Sequence, residues 1–298
     1  MYDVVIIGAG PAGLSAGIYA CRGGLKVAII ENKSVGGQAQ TAADIQNYPG
    51  IKSTSGFDLC YAMMNQCMEF GAEFVFDSIA SVSLIGEMKA IALASGKIVE
   101  AKNVIIASGA NARKLGVPNE SKFIGKGVSY CATCDGAFFK GKTVAVIGGG
   151  NTAAEDALYL EKLAKKVYMV HRRDALRADD ILVKRLEKSN VEIVWDSVVE
   201  NLGGEDKITQ LTLKNVKTNA LTTISADGVF VAIGQTPNSQ GFENVSLSSG
   251  GYIITDENMH TNIDKVYAVG DVREKSLRQV VTACADGAIA ANAIVNGI

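Results

Sequence analysis

The chain has no apolar run close to the roughly 20 residues that a membrane-spanning helix requires, which argues against a membrane protein. Charged residues make up only 20% of its 298 residues while apolar residues reach 48%, so extended disorder is not expected. The net charge is −2, with acids and bases interspersed, which gives no general basis for binding nucleic acid or an anionic membrane. No basic segment or cleavage site of a secretory leader precedes the first apolar stretch, so we expect a soluble cytoplasmic protein.

Cysteine and histidine are also scarce. Six cysteines are too few and too scattered for the disulfide framework of a secreted protein, and only Cys131 and Cys134 stand at Cys-x-x-Cys spacing, with Asp135 directly after them. In a cytosolic chain with βαβ patterns this spacing indicates a redox pair, whose thiolate can be stabilised by N–H groups if the pair opens a helix. The weaker alternative is that the two cysteines form half of a zinc site. A structural zinc ion needs four ligands, and the two histidines, His171 and His260, are far apart in the sequence.

The N-terminal segment has the pattern of a dinucleotide-binding turn. An apolar strand at 3–7 runs into Gly8–Gly13, a Gly-x-Gly-x-x-Gly sequence, and a helical stretch follows. The glycines permit a tight turn and let a pyrophosphate approach the N–H groups at the helix start. The next strand, 26–30, ends at Glu31, whose carboxylate can accept hydrogen bonds from ribose hydroxyls and would repel a 2′-phosphate. The residues assigned to this site are Gly8, Gly10, Pro11, Ala12, Gly13 and Glu31.

A second turn of this kind follows the dithiol. A strand at 142–147 precedes Gly148–Ala153, which has the Gly-x-Gly-x-x-Ala form, and a helix is expected to run to about Leu163. After the next strand, 166–170, the position that held an acid in the first turn is basic, and guanidinium groups there can bind a 2′-phosphate bidentately. The alternative is a solvated basic edge. The residues assigned to this site are Gly148, Gly150, Asn151, Thr152, Arg172, Arg173 and Arg177.

Two turns of opposite charge preference are hard to explain by one nucleotide. They suit FAD at the first turn and NADPH at the second. The polar, glycine-rich stretches at 36–38 and 47–50 could lie along the first cofactor.

The remaining pattern indicates an α/β fold with two domains, which suits a chain of 298 residues. The first segment of the first domain is expected to end near Arg113, because Leu115–Pro118 has the composition of a linker. Since that domain then lacks enough strands to close its sheet, we expect the C-terminal part to return to it. The further elements expected are a helix at about 56–70, a β-meander at about 73–101, a strand at 103–107, strands between about 191 and 231, a strand at 266–269 and a helix at about 278–296.

In order and over its whole length, the chain resembles the low-molecular-weight thioredoxin reductases of the flavoprotein disulfide reductase superfamily. The matching pieces are Gly8–Gly13, Gly36–Gln38, Tyr48–Gly50, Cys131–Gly136, Gly148–Ala153, His171–Asp174, Arg177–Ala178, Gly270–Val272 and Arg278–Gln279. The resemblance implies two Rossmann-like domains: an FAD-binding domain from residues 1–112 and 245–298, and an inserted NADPH-binding domain, 113–244, that carries the dithiol. It also implies a homodimer whose partner is thioredoxin or a thioredoxin-like protein.

The resemblance further implies roles for individual residues. Cys134 matches the thiol that faces the flavin, Cys131 the thiol that attacks the disulfide of thioredoxin, and Asp135 the acid/base that serves them, although Asp135 could also be a helix N-cap. Asp271 matches the aspartate at the ribityl chain. The residues implied beside FAD are Gly37, Gln38, Gly270, Asp271, Arg278, Gln279 and Val280. One departure is Ala39-Gln40 with Ala42-Ala43, which replaces the more usual stretch after Gly-Gly-Gln.

The expected reaction passes hydride from nicotinamide to flavin and then two electrons to the Cys131–Cys134 disulfide, whose thiolate attacks the partner disulfide. Asp135 moves the proton. Because the dithiol and the nicotinamide site share a domain and must reach the same flavin, we predict a domain rotation about crossings near 112–118 and 240–248.

Several alternatives stay open at this stage. A peroxiredoxin reductase usually carries an extra thioredoxin-like domain, which we do not expect here, and a flavin-dependent dithiol oxidase would consume oxygen. A non-catalytic NADP(H)-binding redox sensor would show no turnover with any disulfide. Some relatives take electrons from a donor other than NADPH, such as ferredoxin, and lose the arginines that this chain keeps, so NADPH is favoured.

Overall fold

The computed structural model describes residues 1–42 and 44–297, and these fold as two compact units. Unit 1 comprises Met1–Asn111 and the chain from Thr236 onward, and unit 2 comprises Ala112–Gln235. Ala43 and Ile298, which fall within the predicted FAD-binding segments, lie outside the described residues. The stretch 236–244, which we assigned to the NADPH domain, packs instead in unit 1. There Asn238 donates its backbone N–H to the carbonyl of Gly109 at 2.9 Å, and Phe242 joins the apolar core.

The elements are numbered in chain order. Those that begin in the first segment of unit 1 are β1 (Tyr2–Ile7), α1 (Pro11–Arg22), β2 (Val27–Glu31), α2 (Gly56–Glu69), β3 (Glu73–Phe76), β4 (Ile79–Ser83), β5 (Lys89–Leu93), β6 (Ile98–Ile106) and β7 (Ala110–Ala112). Those that follow in unit 2 are α3 (Glu120–Phe123), β8 (Val128–Ser129), α4 (Ala132–Asp135), β9 (Thr143–Ile147), α5 (Asn151–Leu160), β10 (Lys166–Val170), α6 (Asp180–Leu186), β11 (Glu192–Val194), β12 (Ser197–Gly203), β13 (Gln210–Asn215), β14 (Leu221–Ser225) and β15 (Gly228–Val231). The last are β16 (Gln235–Pro237), β17 (Val266–Ala268) and α7 (Val280–Asn296).

The sheet of unit 1 has the order β3-β2-β1-β6-β5-β4, with β17 paired to β6 as well. The strand predicted at 103–107 is the second half of β6, because the chain does not turn between it and the meander. The first half of β6 pairs antiparallel with β5 and its second half pairs parallel with β17. The C-terminal segment thereby contributes a strand to this sheet. The strand β3, which we placed in the meander, pairs parallel with β2.

Unit 2 has a parallel sheet of order β11-β10-β9-β15-β8 and a separate antiparallel sheet of order β12-β13-β14. The helix α6 lies where no element was predicted. An aspartate, Asp179, precedes it, and Leu182 and Leu186 are buried at helical spacing. Those signals are the ones that could have located it.

The central strands of the two units are buried on both faces. In β1, Val4 and Ile6 pack in the core beneath α1, α2 and α7, whereas Val5 and Ile7 pack in the core on the opposite face. The strand β9 divides its apolar side chains between two cores in the same way. Burial on both faces explains why each strand appears in the sequence as a continuous apolar run. The glycine turns follow these strands directly, at the carboxyl edge where ligands of α/β sheets bind.

Candidate functional site

The first glycine turn has the shape that an anionic ligand needs. Gly8 has a φ of +106°, and a Cβ there would collide with the carbonyl of Ala107. A Cβ on Gly13 would collide with the carbonyl of Gly8, so both glycines are required by the backbone itself. Gly10 is different, because no atom of the described chain lies within 4 Å of the Cβ position it leaves open. The open space lies at the start of α1, whose first N–H groups favour a phosphate.

Glu31 is fixed beside this turn. One carboxylate oxygen accepts a hydrogen bond from the backbone N–H of Ala9 at 2.9 Å. The other accepts hydrogen bonds from the N–H groups of Asn32 and Lys33, each at 2.9 Å. These bonds hold the half-buried carboxylate at the end of β2 and leave lone pairs on its oxygens. Glu31 therefore lies next to the glycine turn, at the position that the sequence predicts.

The predicted residues from the C-terminal segment meet the same turn. A Cβ on Gly270 would lie 2.8 Å from the Cβ of Ala12, which places the Gly-Asp sequence against the first turn of α1. The neighbouring Asp271 has one carboxylate oxygen, Oδ1, that is buried without a hydrogen-bond partner among the described residues. Burial raises the pKa of Asp271, while the charges of Lys275 and Arg278 act in the opposite direction. A buried acceptor of this kind is costly unless a donor reaches it.

The stretches 36–38 and 47–50 lie around this turn. A Cβ on Gly37 would lie 3.6 Å from the Cα of Gly10, and Gln38 beside it is exposed. The side-chain amide of Asn47 donates to the side chain of Gln279 at 3.0 Å, which joins the second stretch to the residue that caps α7. The guanidinium of Arg278 lies 4.2 Å from the ring centre of Tyr252.

These residues of unit 1 fit FAD. The open position at Gly10 and the helix start suit the pyrophosphate, Glu31 suits the ribose, and the unpartnered oxygen of Asp271 suits a hydroxyl of the ribityl chain.

The second glycine turn, in unit 2, repeats this construction. A Cβ on Gly148 would collide with the carbonyl of Ala232, and one on Gly149 with the ring of His171. Around the Cβ position of Gly150, at the start of α5, nothing in the described chain lies within 4 Å. The side chain of Asn151 accepts from the backbone N–H of Asp179 and donates to its carboxylate, both at 2.8 Å. Asn151 thus ties the chain after the basic segment to the helix start.

The basic segment 171–177 folds against this turn. Arg177 donates its backbone N–H to the carbonyl of Gly149 at 2.6 Å. His171 is buried over Gly149, and burial lowers the pKa of its imidazole, with the neighbouring arginines acting in the same direction. The three predicted arginines are exposed, and within the described residues none of their side chains forms an ion pair. Exposed guanidinium groups on a segment held at Gly149 are what a 2′-phosphate would require.

The two predicted thiols form a disulfide, with 5.3 Å between their Cα atoms. Cys131 immediately precedes α4 and its sulfur accepts a hydrogen bond from the backbone N–H of Cys134 at 3.2 Å. Cys131 is half-buried and Cys134 is exposed. Ser129 fixes the backbone of Cys131, because its hydroxyl oxygen accepts a hydrogen bond from the Cys131 N–H at 3.1 Å. The N–H that faces the Cys131 sulfur would stabilise a thiolate there.

Asp135 ends α4 rather than beginning it, and its side chain forms no cap hydrogen bond to the short 3-10 turn that follows. The capping alternative for this residue is therefore not supported. The dithiol segment packs on α5, since a Cβ on Gly136 would lie 2.9 Å from the ring of Tyr159 and 3.0 Å from Leu160. The disulfide and the second glycine turn are consequently parts of one compact unit.

The other cysteines are packing residues. Cys60 and Cys67 are buried, and burial raises the pKa of their thiols to about 11 and about 12. Burial also raises the pKa of the half-buried Cys21 and Cys284. In the described part of the chain no three His, Cys, Asp or Glu side chains gather as a metal site, and no helix is long and apolar enough to span a bilayer.

Residues 2–287 match the sequence profile of the pyridine nucleotide-disulphide oxidoreductases. The chain belongs to this family. Among similar curated proteins, the thioredoxin reductase of Peptoclostridium acidaminophilum is 47% identical over 98% of this chain and 95% of that protein. The thioredoxin reductase of Treponema pallidum (strain Nichols) is 43% identical over 100% of this chain and 97% of that protein. The crystal structure of thioredoxin reductase from Streptococcus pyogenes MGAS5005 covers 99% of this chain and 97% of its own, with 44% identity and a TM-score of 0.93.

Several predictions from the sequence are thereby confirmed. The resemblance holds over the full chain and the fold is α/β with Rossmann-like units. As a pyridine nucleotide-disulphide oxidoreductase, the protein is an NADPH-dependent flavoprotein oxidoreductase with FAD and NADPH as cofactors.

Proposed function

We propose that the protein is a thioredoxin-disulfide reductase that carries two electrons from NADPH through FAD to the Cys131–Cys134 disulfide and on to thioredoxin. One observation carries this conclusion: the disulfide lies in the same compact unit as a glycine turn against which a segment with three exposed arginines is held. Whole-chain similarity to proteins named thioredoxin reductase supports the choice of partner.

FAD would be held by residues of unit 1. The N–H groups at the start of α1, beside Gly10 and Pro11, would receive its pyrophosphate, and Glu31 would accept from the ribose. Asp271 would accept from the ribityl chain, and the segment Arg278–Val280 would lie beside the ring. When bound, FAD supplies two-electron exchange between nicotinamide and disulfide.

NADPH would be held by unit 2. Its pyrophosphate would lie on the N–H groups at the start of α5, beside Gly148, Gly150 and Thr152. Arg172, Arg173 and Arg177 would bind the 2′-phosphate. His171, kept neutral by burial, would orient this segment through its contact with Gly149.

The dithiol would perform the exchange with the partner. Two electrons and two protons convert the Cys131–Cys134 disulfide into two thiols. The Cys131 thiolate, favoured by the N–H of Cys134, attacks the partner disulfide and forms a mixed disulfide. The thiol of Cys134 then attacks that bond, which releases the reduced partner and restores the Cys131–Cys134 disulfide. Asp135, half-buried and without a capping bond, would take up and return the proton.

Because the disulfide and the NADPH turn belong to one unit, each would reach the flavin only in turn, and we infer a rotation of unit 2. The chain crosses between units at 111/112 and 235/236, so the second crossing lies earlier than the 240–248 segment we predicted. We also propose a cytoplasmic homodimer, on the strength of the family resemblance.

The test is the oxidation of NADPH and of NADH by the purified yellow protein, with thioredoxin and insulin present. Rapid NADPH consumption that depends on thioredoxin, with NADH poor, is the expected result. Absence of turnover with either nucleotide, in a protein whose chemically reduced flavin still reduces thioredoxin, would mean a different electron donor. Oxygen consumption with a small dithiol would instead identify a dithiol oxidase.

A further inference from the structure

Unit 2 contains a buried carboxylate that the proposed reaction does not use. Glu120, in α3, is 4% exposed. One of its oxygens accepts hydrogen bonds from the backbone N–H of Leu115 at 2.8 Å and from the hydroxyl of Tyr130 at 2.7 Å. The other accepts from the backbone N–H of Gly116 at 2.9 Å. Three donors thus surround the carboxylate, which satisfies a charge at this depth.

The groups joined by Glu120 are the linker and the residue before the redox disulfide. Leu115 and Gly116 follow the crossing into unit 2 at 111/112, and Gly116 has a φ of +76°. Tyr130 is half-buried and directly precedes Cys131. Burial raises the pKa of the Tyr130 hydroxyl, and the hydrogen bond to Glu120 acts in the same direction, so the phenol remains a donor at physiological pH. Glu120 therefore connects the segment that follows the crossing to the residue that precedes the redox disulfide.

We propose that Glu120 is a positioning residue that locks the redox disulfide to the linker through Tyr130. The linker from Leu115 onward and the dithiol then move as one body, and the turning of unit 2 takes place before Leu115. This proposal rests on the proposed function, in which unit 2 rotates to bring the disulfide to the flavin. A loose dithiol would spend less time in the geometry that electron transfer requires.

Two substitutions test the two sides of this connection, which we call the Glu120 lock: the bonds from Glu120 to the linker and the bond from Tyr130 to Glu120. Glu120→Gln keeps the shape but places an NH₂ group against a linker N–H, because a single amide oxygen cannot replace both carboxylate oxygens. Tyr130→Phe removes only the hydroxyl and leaves both linker bonds in place. Tyr168→Phe is the matched control, since Tyr168 is another half-buried tyrosine of the same apolar cluster and lies on β10.

The experiment measures, in each full-length holoenzyme, electron transfer from chemically reduced flavin to the disulfide by stopped-flow absorbance. Steady-state reduction of ferricyanide by NADPH, which needs the flavin but not the dithiol, is measured beside it. We expect Glu120→Gln and Tyr130→Phe to slow transfer to the disulfide by about tenfold, as one lost buried hydrogen bond would, with ferricyanide reduction within about twofold of wild type. Amide hydrogen exchange at Leu115 and Gly116 should become faster in Glu120→Gln alone.

Unchanged transfer in both variants would overturn the proposal, as would an equal loss of ferricyanide reduction, which would indicate general damage. The double variant should be no slower than the worse single variant, because both changes break the same connection. If wild-type protein fails to reduce thioredoxin, the proposed function is wrong, whereas the Glu120 lock is still judged by flavin-to-disulfide transfer and by amide exchange.

Discussion

Arg177 donates its backbone N–H to the carbonyl oxygen of Gly149 at 2.6 Å, so the basic segment and the second glycine turn are fixed to each other. His171 packs over the same glycine and leaves no room for a Cβ there. These two contacts hold the segment that carries the three predicted arginines beside the second turn, as the bond from Ala9 holds Glu31 beside the first.

Replacing Arg172, Arg173 and Arg177 singly by alanine should weaken NADPH binding and leave NADH binding nearly unchanged. A charge-assisted hydrogen bond is worth roughly 1.5–3 kcal/mol, so the KM for NADPH should increase about tenfold or more per arginine that contacts the phosphate. Steady-state kinetics with both nucleotides provide the measurement. Arg185→Ala is the control, because Arg185 is exposed on α6 in the same unit. Equal losses with NADPH and NADH would contradict a 2′-phosphate site.

Cys134→Ser should retain FAD, accept hydride from NADPH and fail to reduce thioredoxin. The remaining thiolate of Cys131 can still form a mixed disulfide with the partner, but only the thiol released on the partner can then attack it, so the step is reversed and no reduced partner is released. Rapid alkylation of free thiols followed by non-reducing gel electrophoresis with thioredoxin detects the mixed disulfide, and flavin absorbance reports the hydride step. Cys131→Ser should lose turnover without forming this species, and Cys21→Ser should behave as wild type. Full turnover by Cys134→Ser would show that Cys134 is not needed for electron transfer to the partner.

The parts of the site that could be predicted from the sequence are those that a local pattern encodes. Strand, glycine turn and helix follow each other within a short stretch around Gly8 and Gly148, and the residue after the next strand, Glu31 or Arg172, comes at a fixed position in the βαβ unit. The disulfide spacing and its neighbour Asp135 are local in the same sense. These residues lie where the pattern placed them.

The parts that were missed depend on contacts that no local sequence pattern encodes. Nothing around Glu120 indicates that its carboxylate meets Tyr130, because the pairing exists only after α3 and β8 are folded. The bond from Asn238 to Gly109 likewise places 236–244 in unit 1, although its composition resembles a linker. The prediction divided the continuous strand β6 into two. In the structure its first half pairs with β5 and its second half with β17, and buried and exposed side chains alternate only in the first half.

Two glycines of the first turn allow ligand binding to be separated from folding, because one has open space at its Cβ position and the other has none. Gly10→Ala should leave the fold intact, because Gly10 has a φ of −74° and open space at its Cβ position, yet the added methyl should exclude FAD. Gly13→Ala should destabilise the apoprotein, since its Cβ would collide with the carbonyl of Gly8. Flavin content after purification and the melting temperature of the apoprotein are the two measurements. A Gly10→Ala protein that keeps full flavin would show that the cofactor lies elsewhere.

Asp286 of α7 should be essential for the stability of unit 1. It is 6% exposed and accepts hydrogen bonds from the backbone N–H of Gly270 at 3.0 Å and from Lys275 at 2.7 Å, with Arg273 at 3.3 Å. Asp286→Ala would leave the buried ammonium of Lys275 without its carboxylate, which costs about 3–5 kcal/mol in buried pairs. Thermal unfolding of the apoprotein tests this.

Two further variants qualify that result. Adding Lys275→Met to Asp286→Ala should recover part of the loss, since both buried charges are then gone. Lys102→Ala, which breaks a more exposed pair with Asp3, should cost less than about 1 kcal/mol. An Asp286→Ala protein with unchanged melting temperature would contradict the prediction.

The pH dependence of stability should carry a contribution from Asp156 of α5. Burial, together with the nearby charge of Glu155, raises the pKa of Asp156 from 3.8 to about 7. Between these values the folded protein binds a proton that the unfolded chain has lost, so the free energy of unfolding decreases as the pH increases from about 4 to about 7. Asp156→Asn removes this dependence and should therefore raise the melting temperature, relative to wild type, more at pH 8 than at pH 4.5. Glu155→Gln should give a smaller change of the same sign, because it removes only the secondary cause. Equal effects of Asp156→Asn at both pH values would mean that the carboxyl group titrates normally in the folded protein.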